Sequence, residues 1–479
     1  MTAPLAPRTE FVRAISRLDA TALVVGSMIG SGIFIVSADI LRQVQTPGLL
    51  LLVWGLSGVV TLLGALTYGE LAAMFPKAGG NYVYLREGIS PLFGYLYGWT
   101  LFVVIQTGTI AAVAVAFARF TSVLVPSLSP DVFLGTTIRF PDPIGPIAVG
   151  LSPQRIFAIL SIVLLTWINV RGVRTAAFIQ TSLTAIKTAA LAGLIVLGIT
   201  VGRNAEAIAA NFGPPPGFWP AGGLTLAMIP VVGAAMVGSL FSMDAWNNVG
   251  FASGELKQPE KDLPFAMATG VLTVTTLYVL ANVAYLHVLP ADAIAHAPQD
   301  RVGTAALEAM FGTPGLYIMA VAIMISTFGC NNGLILSGAR VYYAMAVDNL
   351  FFKSAAVLHP QYKTPAVALI VQAVWTCVLC LSGTYSQLLN FVIFAAVAFY
   401  LVTAIGLFAL RRKRPDIPRP VRTPGYPWLP ALYVVLTGLI AIDLLVQKAT
   451  QTYSFLGLGL VLLGVPVYYG WKRMVAQQG

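Results

Sequence analysis

About twelve apolar runs, each long enough to cross roughly 30 Å of hydrocarbon as a helix, recur along the chain near 18–40, 48–75, 91–120, 152–170, 176–200, 224–251, 263–288, 313–346, 364–382, 386–410, 427–447 and 453–471. Hydrocarbon offers no water to an exposed N–H or C=O, so such runs restrict the fold to helices that satisfy their own backbone. The composition agrees, with 57% hydrophobic and 10% charged residues, and the reading is an all-α membrane protein with about 12 transmembrane helices. The longest stretches between runs, about 121–152 and 289–312, are too short for a core of their own, so no soluble domain is expected.

Lysine and arginine set the expected orientation, because short loops that keep them stay in the cytoplasm. One set of loops holds Arg8, Arg13 and Arg17, then Lys77, Arg86, Arg171, Arg174, Lys257, Lys261, Arg340, Lys353, Lys363, the run Arg411–Arg414, Arg419, Arg422, Lys472 and Arg473. The opposite set holds only Arg42, Arg139, Arg155, Arg203, Arg301 and Lys448. Both termini are therefore expected inside a bacterial-type inner membrane. The net charge of +10 follows from topology, and its dispersal among loops speaks against nucleic acid. The first run is too long for a cleaved signal peptide and reads as an anchor. The three cysteines, Cys330, Cys377 and Cys380, all fall in apolar runs, where packing explains them better than redox chemistry.

Two runs are interrupted where a helix should be strongest. The first contains "GSMIGSGIF" (Gly26–Phe34) and the sixth "GSLFSMDAWNN" (Gly238–Asn248). Glycine and serine weaken a helix at mid-depth, where each unsatisfied backbone group costs several kcal/mol. Breaks at corresponding places of two five-helix halves point to a transporter with inverted repeats and a midplane site. The expected division is a ten-helix transport core over 1–410, with repeats about 18–200 and 224–410. A basic, proline-rich connector follows at 411–426, within "RRKRPDIPRPVRTPGYPW", and then two appended helices over 427–479. A close packing face is the alternative for the first break, since Gly26 and Gly30 form a G-x-x-x-G.

These stretches, with "YGELAAMFPKAGGNYVYLREGISPLFGYLYGW" (Tyr68–Trp99) and "GELKQPEKDLPFAM" (Gly254–Met267), are similar in kind and order to the amino acid–polyamine–organocation transporters, near the L-type and bacterial amino-acid permease branches. The resemblance implies a LeuT-like 5+5 inverted repeat with discontinuous helices 1 and 6, working by alternating access.

A break near Gly30–Gly32 creates a half-helix N-terminus whose N–H groups and dipole suit a carboxylate. The N–H groups of Ser31, Gly32 and Ile33 are assigned to a substrate α-carboxylate. Carbonyls around Met28 and Ile29, with Phe241, Ser242 and Asp244, are assigned to the α-amino group. The family implies that the aromatic matching Phe241 gates the substrate. Lys187 lies about 11 residues into the fifth run, roughly 16 Å deep. It resembles the lysine that replaces sodium in sodium-independent relatives, as a fixed or proton-exchanging charge; a tether to carbonyls of span one and a hydroxyl such as Ser326 or Thr327 is the alternative. Asp244 reads as a proton acceptor, a partner for a cationic substrate, or first an N-cap. Glu70 and Asp443 read as interfacial. Asn247 is expected to bond across the unwound segments, and Glu255 to pair with a cytoplasmic-side base during gating.

The side-chain pocket is drawn from Gln106, Thr107 and Gly108, from Phe328, Gly329, Cys330 and Asn331, and from Asn390, Phe391 and Phe394. Neutral amino acids fit this lining best; a cationic amino acid or polyamine is second. No metal-ligand cluster, hydrolase motif or nucleotide loop stands in the chain, so no catalytic residue, metal or cofactor is expected. A channel would need polar residues along whole spans, and a non-transporting sensor would need a signalling tail. Animal L-type relatives attach to an accessory glycoprotein through an external cysteine. The loop between spans three and four has none, so no disulfide-linked accessory subunit is expected.

Overall fold

The computed structural model describes residues 11–139, 146–215, 217–381, 385–448 and 450–478; at 146, 385–391 and 478 the description covers the backbone. Arg8 and the side chains of Asn390 and Phe391 lie outside the described residues. Among the described residues, ten helices are long and apolar enough to cross a membrane, and a bent pair makes an eleventh. That pair is span one, Arg17–Met28 and Gly32–Val44, bent by 40°. Spans two to eight are Pro47–Met74, Pro91–Thr121, Pro153–Val170, Val173–Thr200, Leu226–Gly250, Pro259–Val288 and Thr313–Val347. Span ten is Tyr385–Lys413, span eleven Trp428–Val446 and span twelve Gln451–Gln478. The expected ninth run is a shorter apolar helix, Ala366–Cys380, of 15 residues. At 1.5 Å per residue it covers about 22 Å, less than the full hydrocarbon core.

Burial follows the bilayer as solvent. On span eleven Val435, Leu439, Ile442 and Val446 are exposed at helical spacing, a stripe turned to lipid, while Tyr433, Thr437 and Leu444 are buried against neighbours. The loop between spans three and four departs from the all-helical expectation: Leu134–Arg139 pairs antiparallel with Pro146–Leu151 as a hairpin. Arg155, expected as a loop charge, turns inward to the carbonyls of Ala148 and Gly150, both at 2.8 Å, and Leu381 at 3.0 Å.

Glu70, four residues before the end of span two, is fully buried against the protein and receives Arg411 through Nε at 2.9 Å and a second nitrogen at 2.6 Å. The Thr423 N–H donates to it at 2.8 Å, and Arg419 Nε stands 3.4 Å away. Residues after span ten are thus pinned to span two by one carboxylate. Removing one partner of a buried pair strands the rest, at about 3–5 kcal/mol. Glu70→Ala is therefore expected to lower the thermal unfolding midpoint of the detergent-purified protein clearly; an unchanged midpoint would mean that the cluster holds nothing.

Candidate functional site

Both interruptions are real breaks in the helical ladder. In span one the first helix stops at Met28 and the second starts at Gly32, with Ile29–Ser31 between them. In span six the α-helix ends at Ser242. Met243–Ala245 is not helical, Ala245 adopts φ +67°, and tight 3-10 turns follow at Trp246–Gly250 and Ser253–Glu255. The C-terminal half of span six is thus a chain of short turns instead of an α-helix. Asp244 consequently does not cap a half-helix, since the N-cap of the following turn is Ala245.

The glycines serve close packing as well as unwinding. A Cβ on Gly32 would collide with the Ser242 side chain, and one on Gly26 with Thr184 and Gln180. On Gly30 it would stand 3.1 Å from Cys330 Sγ. Span one therefore touches spans five, six and eight through its glycines. The same unwinding leaves the Gly32 and Ile33 N–H groups ahead of any i−4 acceptor in their own helix, while the Phe34 N–H bonds the Ser31 carbonyl at 3.0 Å.

The carbonyls freed by the break are satisfied by side chains. Lys187, buried mid-helix in span five, donates to the carbonyls of Gly26, of Ile29 at 2.7 Å and of Ser326 at 3.2 Å. Its charge lies at the C-terminal, negative end of the first half of span one. The tether thus runs to the Ser326 carbonyl and not to a hydroxyl of span eight. The Ser326 hydroxyl instead donates toward the carbonyls of Ile29 and Gly30, both at 3.1 Å, and Thr327 bonds within its own helix. Cys330 Sγ donates to the Ser27 carbonyl at 2.9 Å. Tyr278 of span seven donates to Met28 O at 2.9 Å and lies 3.3 Å from Ser242 O, so one hydroxyl bridges both breaks. In this closed arrangement the Met28 and Ile29 carbonyls, expected to hold a substrate amino group, accept from Tyr278, Lys187 and Ser326.

A small cavity lies between the breaks, lined by Gly30, Ser31, Gly32, Phe241, Ser242 and Asp244, with Cys330 and Ala245 beside them. Ile29 and Ile33 do not line it. From span three it takes Thr109 and Val113 instead of Gln106, Thr107 and Gly108; from span eight it takes Cys330 but not Phe328, Gly329 or Asn331. Phe394 is buried away from it. Asp244 accepts the Tyr400 hydroxyl of span ten, and Asn247, expected to bond across the unwound segments, takes the same hydroxyl at 3.3 Å. The volume is about 20 Å³, room for little more than one water. An amino acid enters only if the half-helices separate.

The cavity is closed on the side where spans one and six join the N-terminal segment. Glu255 receives Arg340 of span eight through two bonds, at 3.0 and 2.9 Å, with both side chains 1% exposed. Ile15 N–H donates to Glu255 O at 2.9 Å and Lys257 N–H to Ile15 O at 3.0 Å, so the chain leading into span one is bound to the end of span six. Sequence reasoning named Glu255 but neither Arg340 as its partner nor Tyr278 and Tyr400. A tyrosine at mid-depth of an apolar span was the available signal, since its hydroxyl needs an acceptor there.

Two substitutions test this geometry. Gly32→Val places a branched side chain against Ser242 and is expected to cut transport at least roughly tenfold, measured in vesicles with protein that elutes as a single species. Lys187→Ala removes the bonds that join spans one, five and eight and is expected to abolish transport; an unchanged rate and pH dependence would show that the charge has no part in it.

Residues 15–464 match the family model described as "Amino acid permease". The chain is 31% identical to the serine/threonine exchanger SteT of Bacillus subtilis over 468 residues, covering 97% of this chain and 98% of that protein. It is 32% identical to the large neutral amino acids transporter small subunit 2 of Mus musculus over 466 residues, 95% of this chain and 80% of the relative. Against the b(0,+)-type amino acid transporter 1 of Mus musculus the identity is 26% over 481 residues, 98% and 91% of the two chains. The sequence resemblance, the helical membrane fold and these matches agree: the chain belongs to the amino acid permease family of membrane transporters and is not an enzyme.

Proposed function

We propose that the chain exchanges neutral amino acids across a bacterial-type inner membrane, without sodium, by alternating access. The observation that carries this is Lys187, whose ammonium occupies a set of backbone carbonyls from spans one and eight where a bound cation would otherwise be needed. A relative named as a serine/threonine exchanger and one named for large neutral amino acids support the substrate class and the exchange mode. In this reading the N–H groups of Ser31, Gly32 and Ile33 take the α-carboxylate. The α-amino group lies toward the Phe241–Asp244 break, because the Met28 and Ile29 carbonyls are committed. Phe241 closes over the substrate, with Cys330, Thr109 and Val113 near its side chain.

The same proposal divides the chain into inverted repeats over about 18–200 and 224–410, a cytoplasmic connector at 411–426 and an appended helix pair over 427–479. Both termini are cytoplasmic, in keeping with the Lys and Arg distribution. Glu255 and Arg340 then belong to the inner gate and part when the cavity opens inward. Although one relative is named as a small subunit, all three cysteines of this chain lie in helices, and it works without a disulfide-linked partner.

Asp244 in the cavity wall favours a second reading, a cationic substrate. Uptake of radiolabelled alanine into proteoliposomes, empty or preloaded with unlabelled neutral amino acids and free of sodium, separates the possibilities. Uptake only into preloaded vesicles is expected. Uptake into empty vesicles that grows with external acidity would replace exchange by proton symport, and uptake of arginine but not alanine would assign Asp244 to the substrate.

A further inference from the structure

A large cavity lies away from the breaks, in the wall formed by spans two, six and eleven. Its volume is about 560 Å³, and its sides are apolar, among them Leu52, Val59, Met228, Met236, Leu439 and Val446. Its one ionisable side chain is Asp443, a carboxylate set in an otherwise apolar wall. Asp443 Oδ1 has only Gln447 Nε2, at 3.3 Å, while Oδ2, buried against span six, has no hydrogen-bond partner among the described residues. Among the described residues no lysine or arginine pairs with it. The carboxylate rests against Gly233, where a Cβ would stand 2.7 Å from Oδ2, so the half-helix of span six is shaped to receive it.

Depth and charge identify the occupant. Asp443 lies three residues before the end of span eleven, roughly 4.5 Å below it, where headgroups meet hydrocarbon. An unpaired carboxylate at that level above an apolar trough suits a molecule with a cationic hydrogen-bond donor and a long chain. A second copy packed through the exposed face of span eleven would bring Leu432, Val435, Leu439, Ile442 and Val446, and no cation for Asp443. We propose that the groove between spans two, six and eleven binds phosphatidylethanolamine, with an acyl chain in the trough and the headgroup ammonium donating to Asp443. Phosphatidylcholine lacks the N–H donor, and an anionic lipid is repelled. Gln447 Nε2 also reaches Pro230 O at 3.2 Å, so the headgroup site is tied to the start of the helix that ends in Phe241 and Ser242. Bound lipid therefore sets how readily that helix moves.

The test uses the full-length protein in vesicles with equal amounts of phosphatidylethanolamine and phosphatidylcholine of identical acyl chains. Lipid retained on the protein is read by native mass spectrometry, and alanine counterflow is measured in each lipid separately. The wild type is expected to retain the ethanolamine lipid roughly tenfold over the choline lipid, the worth of one charge-assisted hydrogen bond, and to run slower in choline lipid. Asp443→Asn should erase the preference, and Val59→Trp, which fills the trough from its lipid-facing side, should erase retention of both. Equal retention of the two lipids by the wild type, a preference that survives Asp443→Asn, or a dimer that closes the groove without lipid would each overturn the proposal. The wild-type comparison needs no variant to fold.

Discussion

Every feature of the candidate site depends on a single requirement: backbone carbonyls released at mid-membrane must find donors inside the protein. Span one gives up its ladder at Ile29–Ser31, and the replacements come from other spans. Lys187 takes Gly26 and Ile29, Ser326 takes Ile29 and Gly30, Cys330 takes Ser27, and Tyr278 takes Met28. These bonds do more than repay the break. They fix the position of span one relative to spans five, seven and eight, so the unwound segment is a junction held in place by its neighbours and not a slack loop. The Lys187 ammonium is the strongest member, because a buried charge that bonds carbonyls at a helix C-terminus is stabilised both by the bonds and by the dipole.

Closure follows from the same packing. Gly32 lies against Ser242 and Gly238 against Val36, so the outer halves of spans one and six meet with almost no space between them. Below the cavity, the Glu255–Arg340 pair and the bridge from Ile15 to Glu255 and Lys257 join the other halves. With both ends joined, the cavity between them is too small for an amino acid. Transport then requires these contacts to part in turn. The Ser57–Ser239 and Ser37–Asn282 hydrogen bonds, at 2.7 and 2.6 Å, tie the outer halves to spans two and seven.

Much of this was legible in the sequence for a physical reason. Crossing hydrocarbon demands length and apolarity, and breaking a helix there demands glycine, serine or polar residues, so spans and breaks both leave composition signals. Gly30, Ser31, Gly32, Phe241, Ser242 and Asp244 line one cavity, as a reading of the two breaks expects. What composition cannot carry is rotation about a helix axis. Span three offers Gln106, Thr107 and Gly108 to other contacts and turns Thr109 and Val113 to the cavity, a change of a fraction of a turn. The donors that the Met28 and Ile29 carbonyls take, Tyr278 and Lys187, could not be read from the sequence because they come from spans seven and five, far along the chain. The partners of Glu70 escaped the sequence for the same reason, since Arg411 at the end of span ten and Arg419 after it lie far along the chain.

Recognition of the zwitterion by backbone groups at the two breaks is the claim on which the functional account rests, and competition binding reads it directly. Radiolabelled alanine bound to the purified protein in sodium-free buffer would be challenged with serine, threonine and leucine, with alanine methyl ester, and with propionate. The account predicts that at least one of the neutral amino acids displaces alanine, while the ester and the deaminated acid both fail, because each lacks one of the two charges that the breaks are built to hold. Displacement by the ester or by propionate as effective as that by alanine itself would contradict it.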